Sequence, residues 1–197
     1  MRLLYSALSP FARKVRVVAH ENGLTGAITL EIANPYSEES VRSFNPLNKV
    51  PTLILDDGEA LYDSSVICDY LDTLGGAGLI PSGGPERRQA LTLQALAGGM
   101  GDAALAIVRE RLRPEAEHRT DLFERQTRAL VAALDLLETE GLHAERFAIG
   151  EIAVAVQLAY LDTRQVLDWR DGRPGLAAWF EVISRRESMT VTSAQLT

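Results

Sequence analysis

Three short segments of the sequence combine residue types that can bind and activate a small charged ligand. In the first, Ser9 precedes Pro10, and this pair is typical of a helix that begins with a capping hydroxyl and a proline. A hydroxyl beside the unpaired N–H groups of a helix N-terminus stabilises an anion. A thiolate needs this help most, because a free thiol is largely protonated at pH 7. Ser9 is therefore a candidate for activating a bound thiol, and the alternative is that it only caps the helix.

The second segment, Lys49-Val50-Pro51, stands directly before a predicted strand. A proline cannot donate to a strand ladder, so this end of the strand is left unpaired. A cis Val50–Pro51 peptide bond would expose the backbone of Val50 for pairing with an extended peptide. The alternative is an ordinary trans proline that opens an edge strand.

The third segment, Asp63-Ser64, separates a predicted strand from a predicted helix. Ser64 is predicted to cap this helix, whose N-terminal amides suit a carboxylate, while Asp63 can accept a hydrogen bond from an ammonium group. Together these residues match the head of an amino acid, which carries an ammonium and a carboxylate on one carbon. The alternative is that the Asp-Ser pair serves only as a helix cap.

The composition of the 197-residue chain restricts the function classes. It is 46% hydrophobic and 24% charged, as in ordinary soluble proteins, and the stretch that reads as most apolar, Ile152 to Leu161, is too short to span a bilayer. The 27 acidic and 20 basic residues give a net charge of −7, which argues against nucleic-acid binding because phosphate affinity requires clustered Lys and Arg. The single cysteine, Cys68, excludes internal disulfides and fits a reducing cytoplasm. We therefore expect a cytoplasmic protein with neither a membrane nor a nucleic-acid partner.

The three segments lie in a predicted α/β domain, and a predicted helical domain follows it. Hydrophobic spacing and turn residues in about the first 75 residues indicate the order β-α-β-α-β-β-α, with a short helix over Ser37–Phe44 and a hairpin at Asp56-Asp57-Gly58. This order predicts a four-stranded mixed sheet with helices on both faces. Later helices are predicted from Pro85 to about Leu112, Glu115 to about Glu140, Ile149 to about Leu167 (the buried centre of a bundle), and Pro174 to about Arg186.

Five stretches of the sequence carry a family resemblance. They are Ser9-Pro10-Phe11-Ala12-Arg13-Lys14-Val15-Arg16, Asn45-Pro46-Leu47-Asn48-Lys49-Val50-Pro51, Leu61-Tyr62-Asp63-Ser64, Leu96-Ala97-Gly98-Gly99-Met100-Gly101-Asp102-Ala103-Ala104 and Gly172-Arg173-Pro174. In this order they strongly resemble the cytosolic glutathione transferase superfamily, and within it most of all the small bacterial YibF-like group. The resemblance covers nearly the whole chain and is most specific in residues 1–75.

The resemblance implies an α/β thioredoxin-like domain at 1–75 that carries the glutathione site, a linker at 76–84, and an all-helical domain at 85–197 that completes the pocket for an electrophile. It implies a glutathione transferase that conjugates the thiolate of its co-substrate, glutathione, to a hydrophobic small molecule. Isomerase, dehalogenase and peroxidase activities stay open, as does a non-catalytic interaction protein with the same fold. We expect a homodimer, because a long helix rich in Ala and Gly suits a close self-complementary contact.

The resemblance also implies roles for individual residues. Ser9 would be the hydroxyl that donates to the glutathione sulfur, and serine instead of cysteine excludes thiol–disulfide exchange at this position. Lys49 would help hold the glycyl end, and Val50 would pair with the cysteinyl backbone beside Pro51. From the family pattern we predict that the Val50–Pro51 peptide bond is cis. The other glutathione-binding positions are Asp63 and Ser64 for the γ-glutamyl head, Phe11, and Asp102, which either reaches the partner subunit's glutathione or is a solvated or capping carboxylate.

Other residues receive structural interpretations. Cys68 is flanked by apolar residues and is expected in the core. The three histidines have no metal-ligand spacing, so we expect no metal site. Ala148, three residues before Glu151, stands where the family usually has a Ser or Thr cap, and we expect its missing hydroxyl to cost the helix roughly 1 kcal/mol.

Overall fold

Four short apolar segments of the N-terminal part form a mixed β-sheet. The computed structural model describes residues 1–37 and 39–193, and its strands there are β1 (Arg2–Tyr5), β2 (Thr29–Ile32), β3 (Thr52–Ile54) and β4 (Ala60–Leu61). The strand order is β2-β1-β3-β4, with β1 parallel to β2 and the other two neighbouring pairs antiparallel. The mixed four-stranded sheet that the sequence predicts is therefore confirmed.

Alternating side chains give this sheet two apolar faces. Leu3 and Leu53 pair across β1 and β3 and are fully buried, while the neighbouring Leu4 and Ile54 belong to the opposite face and pack with Val41. The first helices, α1 (Pro10–Glu21) and α2 (Ser64–Gly75), pack against each other, and α2 also contacts β3. Helical segments therefore cover both faces, as predicted.

The helical segment that carries Val41 is shorter than the helix predicted over Ser37–Phe44. It is a one-turn 3₁₀-helix, Ser40–Ser43, and Glu38 of the predicted helix lies outside the described residues. A single turn gains too few hydrogen bonds to offset the cost of nucleating an α-helix. The turn is held by its own side chains instead, since a guanidinium nitrogen of Arg42 donates to the carbonyl oxygen of Pro46 at 2.9 Å.

Within the described residues, five further α-helices follow α2. The chain divides into two units, one of Met1–Arg87 together with the residues from Glu187 onward, and the other of Arg88–Arg186. In the second unit, the helix that begins at Ile149 is buried on nearly all sides, as its sequence predicts. The five helices are α3 (Gly84–Arg111), α4 (Thr120–Glu140), α5 (Ile149–Thr163), α6 (Pro174–Ile183) and α7 (Glu187–Val191).

The helix predicted from Glu115 begins later than the sequence suggests. A 3₁₀ turn at Glu115–Glu117 comes first, and α4 begins only at Thr120. The buried carboxylate of Glu110 accepts a hydrogen bond from the backbone N–H of Arg119 at 2.9 Å, which holds the chain in a non-helical conformation just before α4. The later helices also end earlier than predicted, α5 at Thr163 and α6 at Ile183.

The short C-terminal helix α7 was not predicted from the sequence. It packs on α1 in the first unit, where a guanidinium nitrogen of Arg13 donates to the carbonyl oxygen of Met189 at 2.9 Å. The Ser188 hydroxyl also donates to the Glu21 carboxylate at 2.5 Å. These contacts join residues far apart in sequence, so local patterns could not reveal them.

The N-terminus of α5 is built for a close approach to α3. A Cβ atom on Gly150 would lie 2.9 Å from the Cβ of Leu93 and 3.0 Å from the carbonyl oxygen of Ala90, so only glycine fits there. Ala148 provides no capping side chain, as expected. The Glu151 carboxylate nevertheless accepts a hydrogen bond from the backbone N–H of Ala148 at 3.2 Å, which keeps one half of a capping box.

Among the described residues, one helix is long and apolar enough to cross a membrane, by its length and composition alone. This helix is α3, with a mean hydropathy of 1.4 in its most apolar 18-residue window. Of that window, 44% is buried inside the protein. Core helices of globular proteins show the same length and hydropathy, so this observation is weak support for a membrane segment.

Candidate active site

The pairing register brings three loops to one end of the sheet. Leu4 of β1 pairs with Thr52 of β3, and Leu53 of β3 pairs with Leu61 of β4, both antiparallel. The end of β1, the start of β3 and the end of β4 therefore lie side by side. The loops attached there carry the three segments that the sequence singled out, so the fold brings these segments together.

Ser9 occupies the N-cap of α1, as predicted. Its backbone is extended, Pro10 is the first helical residue, and its Oγ accepts a hydrogen bond from the backbone N–H of Ala12 at 3.2 Å. The side chain is half-buried, and the first turn of α1 contains no acidic residue that would oppose the positive helix end. Because the capping bond uses only the oxygen, the hydroxyl hydrogen stays available to donate to a bound anion.

The Val50–Pro51 peptide is cis, as predicted. The carbonyl oxygen of Lys49 is fixed by two side chains, since it accepts hydrogen bonds from Asn45 Nδ2 at 3.1 Å and from Thr52 Oγ1 at 2.9 Å. Within residues 1–37 and 39–193, no partner hydrogen-bonds the backbone N–H or C=O of Val50. Side-chain hydrogen bonds therefore fix the chain next to Val50, while the backbone groups of Val50 itself are available for pairing.

Asp63, not Ser64, caps α2, which corrects the sequence prediction. The Asp63 backbone is extended and its Oδ1 accepts a hydrogen bond from the backbone N–H of Ser65 at 2.9 Å, whereas Ser64 is already helical and buried. Asp and Ser cap helices about equally well, so the sequence alone could not choose between them. Asp63 remains exposed, so its carboxylate is accessible from solvent.

The remaining predicted site residues differ in their exposure and in the unit to which they belong. Phe11 is half-buried in the first turn of α1, and Lys49 is exposed. Asp102 is an exposed residue of α3 and belongs to the second unit. Its predicted contribution depends on a subunit contact and stays a prediction.

Lys14 is a charged residue near the site that the sequence analysis did not single out. It lies on α1, only 5% exposed, and its Nζ donates to Oγ of Ser65 in the first turn of α2 at 3.5 Å. Its position three residues after Phe11 and four before Val18 places it inside the apolar stripe of α1. A lysine in such a stripe is the signal that could have revealed it.

Cys68 is fully buried on α2, as expected of a core residue. Burial raises the pKa of its thiol to about 11, and the positive charge of Lys14 opposes this rise. The negative charge of Asp63 adds to the rise in this pKa. The thiol is therefore protonated at neutral pH and is not a nucleophile. In the part of the chain that the structure describes, no group of three His, Cys, Asp or Glu side chains could hold a metal ion.

The sequence matches known proteins over nearly its full length. The family model of the glutathione S-transferase N-terminal domain matches residues 8–74, and that of the C-terminal domain matches residues 120–181. The chain is 35% identical to the uncharacterized GST-like protein YibF of Escherichia coli strain K12, over 98% of each chain. The chain therefore belongs to the glutathione S-transferase family, and the predicted resemblance is confirmed.

Solved structures support the same fold. A glutathione transferase family member from Pseudomonas fluorescens Pf-5, crystallised with bound glutathione, is 40% identical with a TM-score of 0.95 over 99% of each chain. A glutathione S-transferase from Methylobacillus flagellatus KT, also with glutathione bound, is 36% identical with a TM-score of 0.90 over 98% of this chain and 99% of that one. The predicted fold class, a thioredoxin-like domain followed by an all-helical domain, is confirmed.

Proposed function

We propose that this protein is a serine-type glutathione transferase that conjugates the glutathione thiolate to a hydrophobic electrophile. The observation that carries this proposal is the geometry of Ser9, whose oxygen accepts from Ala12 N–H at 3.2 Å while its hydrogen stays free for a sulfur anion. The helix N-terminus adds a positive field at the same place. Ser9 thus activates the nucleophile and helps position it, and no covalent enzyme intermediate is required.

The other segments at the sheet end are proposed to bind the peptide parts of glutathione. The unpaired backbone of Val50, next to Pro51, pairs with the cysteinyl residue. Lys49 is exposed and attracts the glycyl carboxylate. The exposed Asp63 accepts from the γ-glutamyl ammonium, and the N-terminus of α2 at Ser64 binds the adjacent carboxylate.

Phe11 and Asp102 complete the proposed binding residues. Phe11 belongs to the same helical turn as the Ser9 cap and contributes apolar contact. Asp102 is proposed to act on the glutathione of a partner subunit. We further propose the functional division into a glutathione-binding domain at 1–75, a linker at 76–84 and a domain at 85–197 that completes the electrophile site.

Binding and turnover assays test this proposal and separate it from its alternatives. We expect glutathione to bind and to be conjugated to members of a panel of hydrophobic electrophiles. Turnover only with isomerase, dehalogenase or peroxidase substrates would assign a sibling activity. Glutathione binding without any turnover, or no glutathione binding at all, would favour a non-catalytic interaction protein and contradict the proposed reaction.

We also propose that the protein is a homodimer that uses one face of α3. Four exposed residues lie along this face: Thr92, Ala95, Gly99 and Asp102. Within the described part of the chain, a Cβ atom added at Gly99 would have open space around it, with no contact within 4 Å. A face of small residues leaves room for a second copy, and it includes Asp102, whose proposed role requires a partner.

Sedimentation measures this dimer directly. We expect the 21.5-kDa chain to sediment as a dimer at micromolar concentration and Gly99→Leu to weaken the dimer, because the larger side chain fills the space for the second copy. Gly26→Leu is the matched control, since a Cβ at Gly26 also meets no described atom within 4 Å. A wild-type monomer, or a Gly99→Leu dimer as stable as wild type, would contradict this interface.

A cytoplasmic location without a nucleic-acid or membrane partner is part of the same proposal. The net charge of −7 opposes binding to phosphate-rich surfaces. The single cysteine is buried and free, which suits a reducing compartment. The proposed partners are therefore glutathione, a small electrophile and a second copy of the chain.

A further inference from the structure

Lys14 is a nearly buried lysine of α1, although burial of a charged side chain is costly. The residue is 5% exposed, and removing a charged group from water is unfavourable unless well-placed partners compensate it. Its one described hydrogen bond, from Nζ to Ser65 Oγ, is 3.5 Å long. An ammonium has three donors and prefers distances of about 2.7–3.2 Å, so this partner satisfies it poorly. An apolar side chain such as methionine would fill the space without this cost.

The charge of Lys14 faces a negative group at the start of α2. Ser65, which accepts from Lys14, also donates its backbone N–H to Oδ1 of Asp63 at 2.9 Å. Asp63 and Lys14 also act with opposite sign on the same buried thiol, that of Cys68, so the two charges share one neighbourhood. Asp69 and Asp72, further along α2, act on this thiol in the same direction as Asp63. Both have other partners, since Asp69 faces Arg87 at 3.5 Å and Asp72 accepts hydrogen bonds from the backbone N–H groups of Leu79 and Ile80.

The proposed ligand head brings its own carboxylate to this helix terminus. The N-terminal amides of α2 attract that carboxylate, but the negative charge of Asp63 next to them repels it. The ammonium of the head offsets part of this charge when it pairs with Asp63, and a second cation on the protein side of the terminus favours the carboxylate further. Lys14 lies on the protein side of this terminus, at the hydroxyl of its second residue.

We propose that Lys14 is a positioning residue of the γ-glutamyl carboxylate subsite. Its charge offsets that of Asp63 at the first turn of α2, where Lys14 Nζ lies 3.5 Å from Ser65 Oγ and the free amides face the ligand carboxylate. The inference rests on the proposed binding of glutathione. It adds to the proposed function a buried cation that selects for a ligand head with a carboxylate.

Two ligands separate this role from a general effect on folding. Glutathione carries the α-carboxylate, and 4-aminobutanoyl-cysteinylglycine lacks only that group. We expect Lys14→Met to raise the Kd of glutathione roughly tenfold, because one charge interaction is lost. The Kd of the analogue should rise less than about twofold, because it has no α-carboxylate to lose that interaction. Lys14→Arg should restore most of the affinity for glutathione because the charge is kept.

Kinetics and a second variant make the assignment specific. At saturating glutathione, kcat of Lys14→Met should stay within about twofold of wild type, because the thiolate itself is not affected. Ser65→Ala removes only the hydroxyl partner and should weaken glutathione binding in the same direction by a smaller factor. Arg185→Met removes an exposed cation paired with Glu181 and should leave both Kd values unchanged.

Each other outcome overturns the inference. Equal changes for both ligands, or unchanged Kd values with a lower unfolding temperature, would show that Lys14 is a structural residue only. A fall in kcat with unchanged Kd would place its effect at the sulfur instead. If the wild-type protein binds neither ligand, the proposed function itself fails. If instead the wild type and Lys14→Met bind glutathione equally well, the proposed function stands and only the role of Lys14 is wrong.

Discussion

Replacing Ser9 by alanine should lower kcat for conjugation by about 10- to 100-fold while changing glutathione affinity by no more than a few-fold. A hydrogen bond from the Ser9 hydroxyl to an anionic sulfur is worth roughly 1.5–3 kcal/mol, and its loss converts to that range of rates. Affinity depends mainly on the contacts to the peptide parts of glutathione, so the loss appears in kcat rather than in binding. Steady-state kinetics with saturating glutathione measure both quantities.

Two further substitutions separate the hydroxyl's chemistry from its role as a helix cap. Because Ser9 Oγ accepts from Ala12 N–H, Ser9→Ala should also destabilise the protein by about 1 kcal/mol. Ser9→Asp keeps a capping oxygen but puts a negative charge beside the sulfur, so stability should be kept while turnover is lost. Ser9→Thr keeps both functions and should retain activity. If turnover followed stability across the three variants, Ser9 would be only a cap.

Replacing Asp63 by alanine should have the reverse effect and weaken glutathione binding strongly, by at least roughly tenfold, with a smaller effect on kcat. The proposed partner of Asp63 is the γ-glutamyl ammonium, and a charge-assisted hydrogen bond to it is about twice as strong as a neutral one. Isothermal titration with glutathione measures the change in Kd.

Asp63→Asn is the matched control, because Asp63 also caps α2 through Ser65 N–H at 2.9 Å. The asparagine keeps the capping oxygen and removes only the charge, so it should lose affinity as alanine does but keep the free energy of unfolding. Wild-type affinity in Asp63→Asn would mean that Asp63 acts as a cap and does not bind the ammonium.

The sheet and the Ser9 cap were predictable because short-range signals determine them. In the predicted hairpin, Gly58 adopts a φ of +92°, and the side chain of Asp57 accepts from the backbone N–H of Glu59 at 3.0 Å. Ser9 next to Pro10 fixes the start of α1 in the same local way. Once β1, β3 and β4 pair antiparallel, the end of β1, the start of β3 and the end of β4 meet, and the candidate site follows from this pairing.

The features that sequence reasoning missed depend on packing between distant segments. Asp63 rather than Ser64 caps α2 because of where the chain leaves β4, and both side chains are good caps. The burial of Lys14 results from the packing of α1 on α2. The position of α7 depends on bonds such as that from Arg13 to Met189, more than 170 residues away along the chain.

Titration of the bound thiol tests the central proposal most directly. With saturating glutathione, thiolate absorbance is measured against pH for wild type and for Ser9→Ala. In the wild type the pKa of the bound thiol should lie well below the value of about 8.5 for a free thiol. Ser9→Ala should raise this pKa by about one to two, because 1.5–3 kcal/mol of thiolate stabilisation is lost, so its thiolate should form only at higher pH. If Ser9→Ala leaves both this titration and the turnover unchanged, Ser9 does not activate glutathione and the proposed mechanism is wrong.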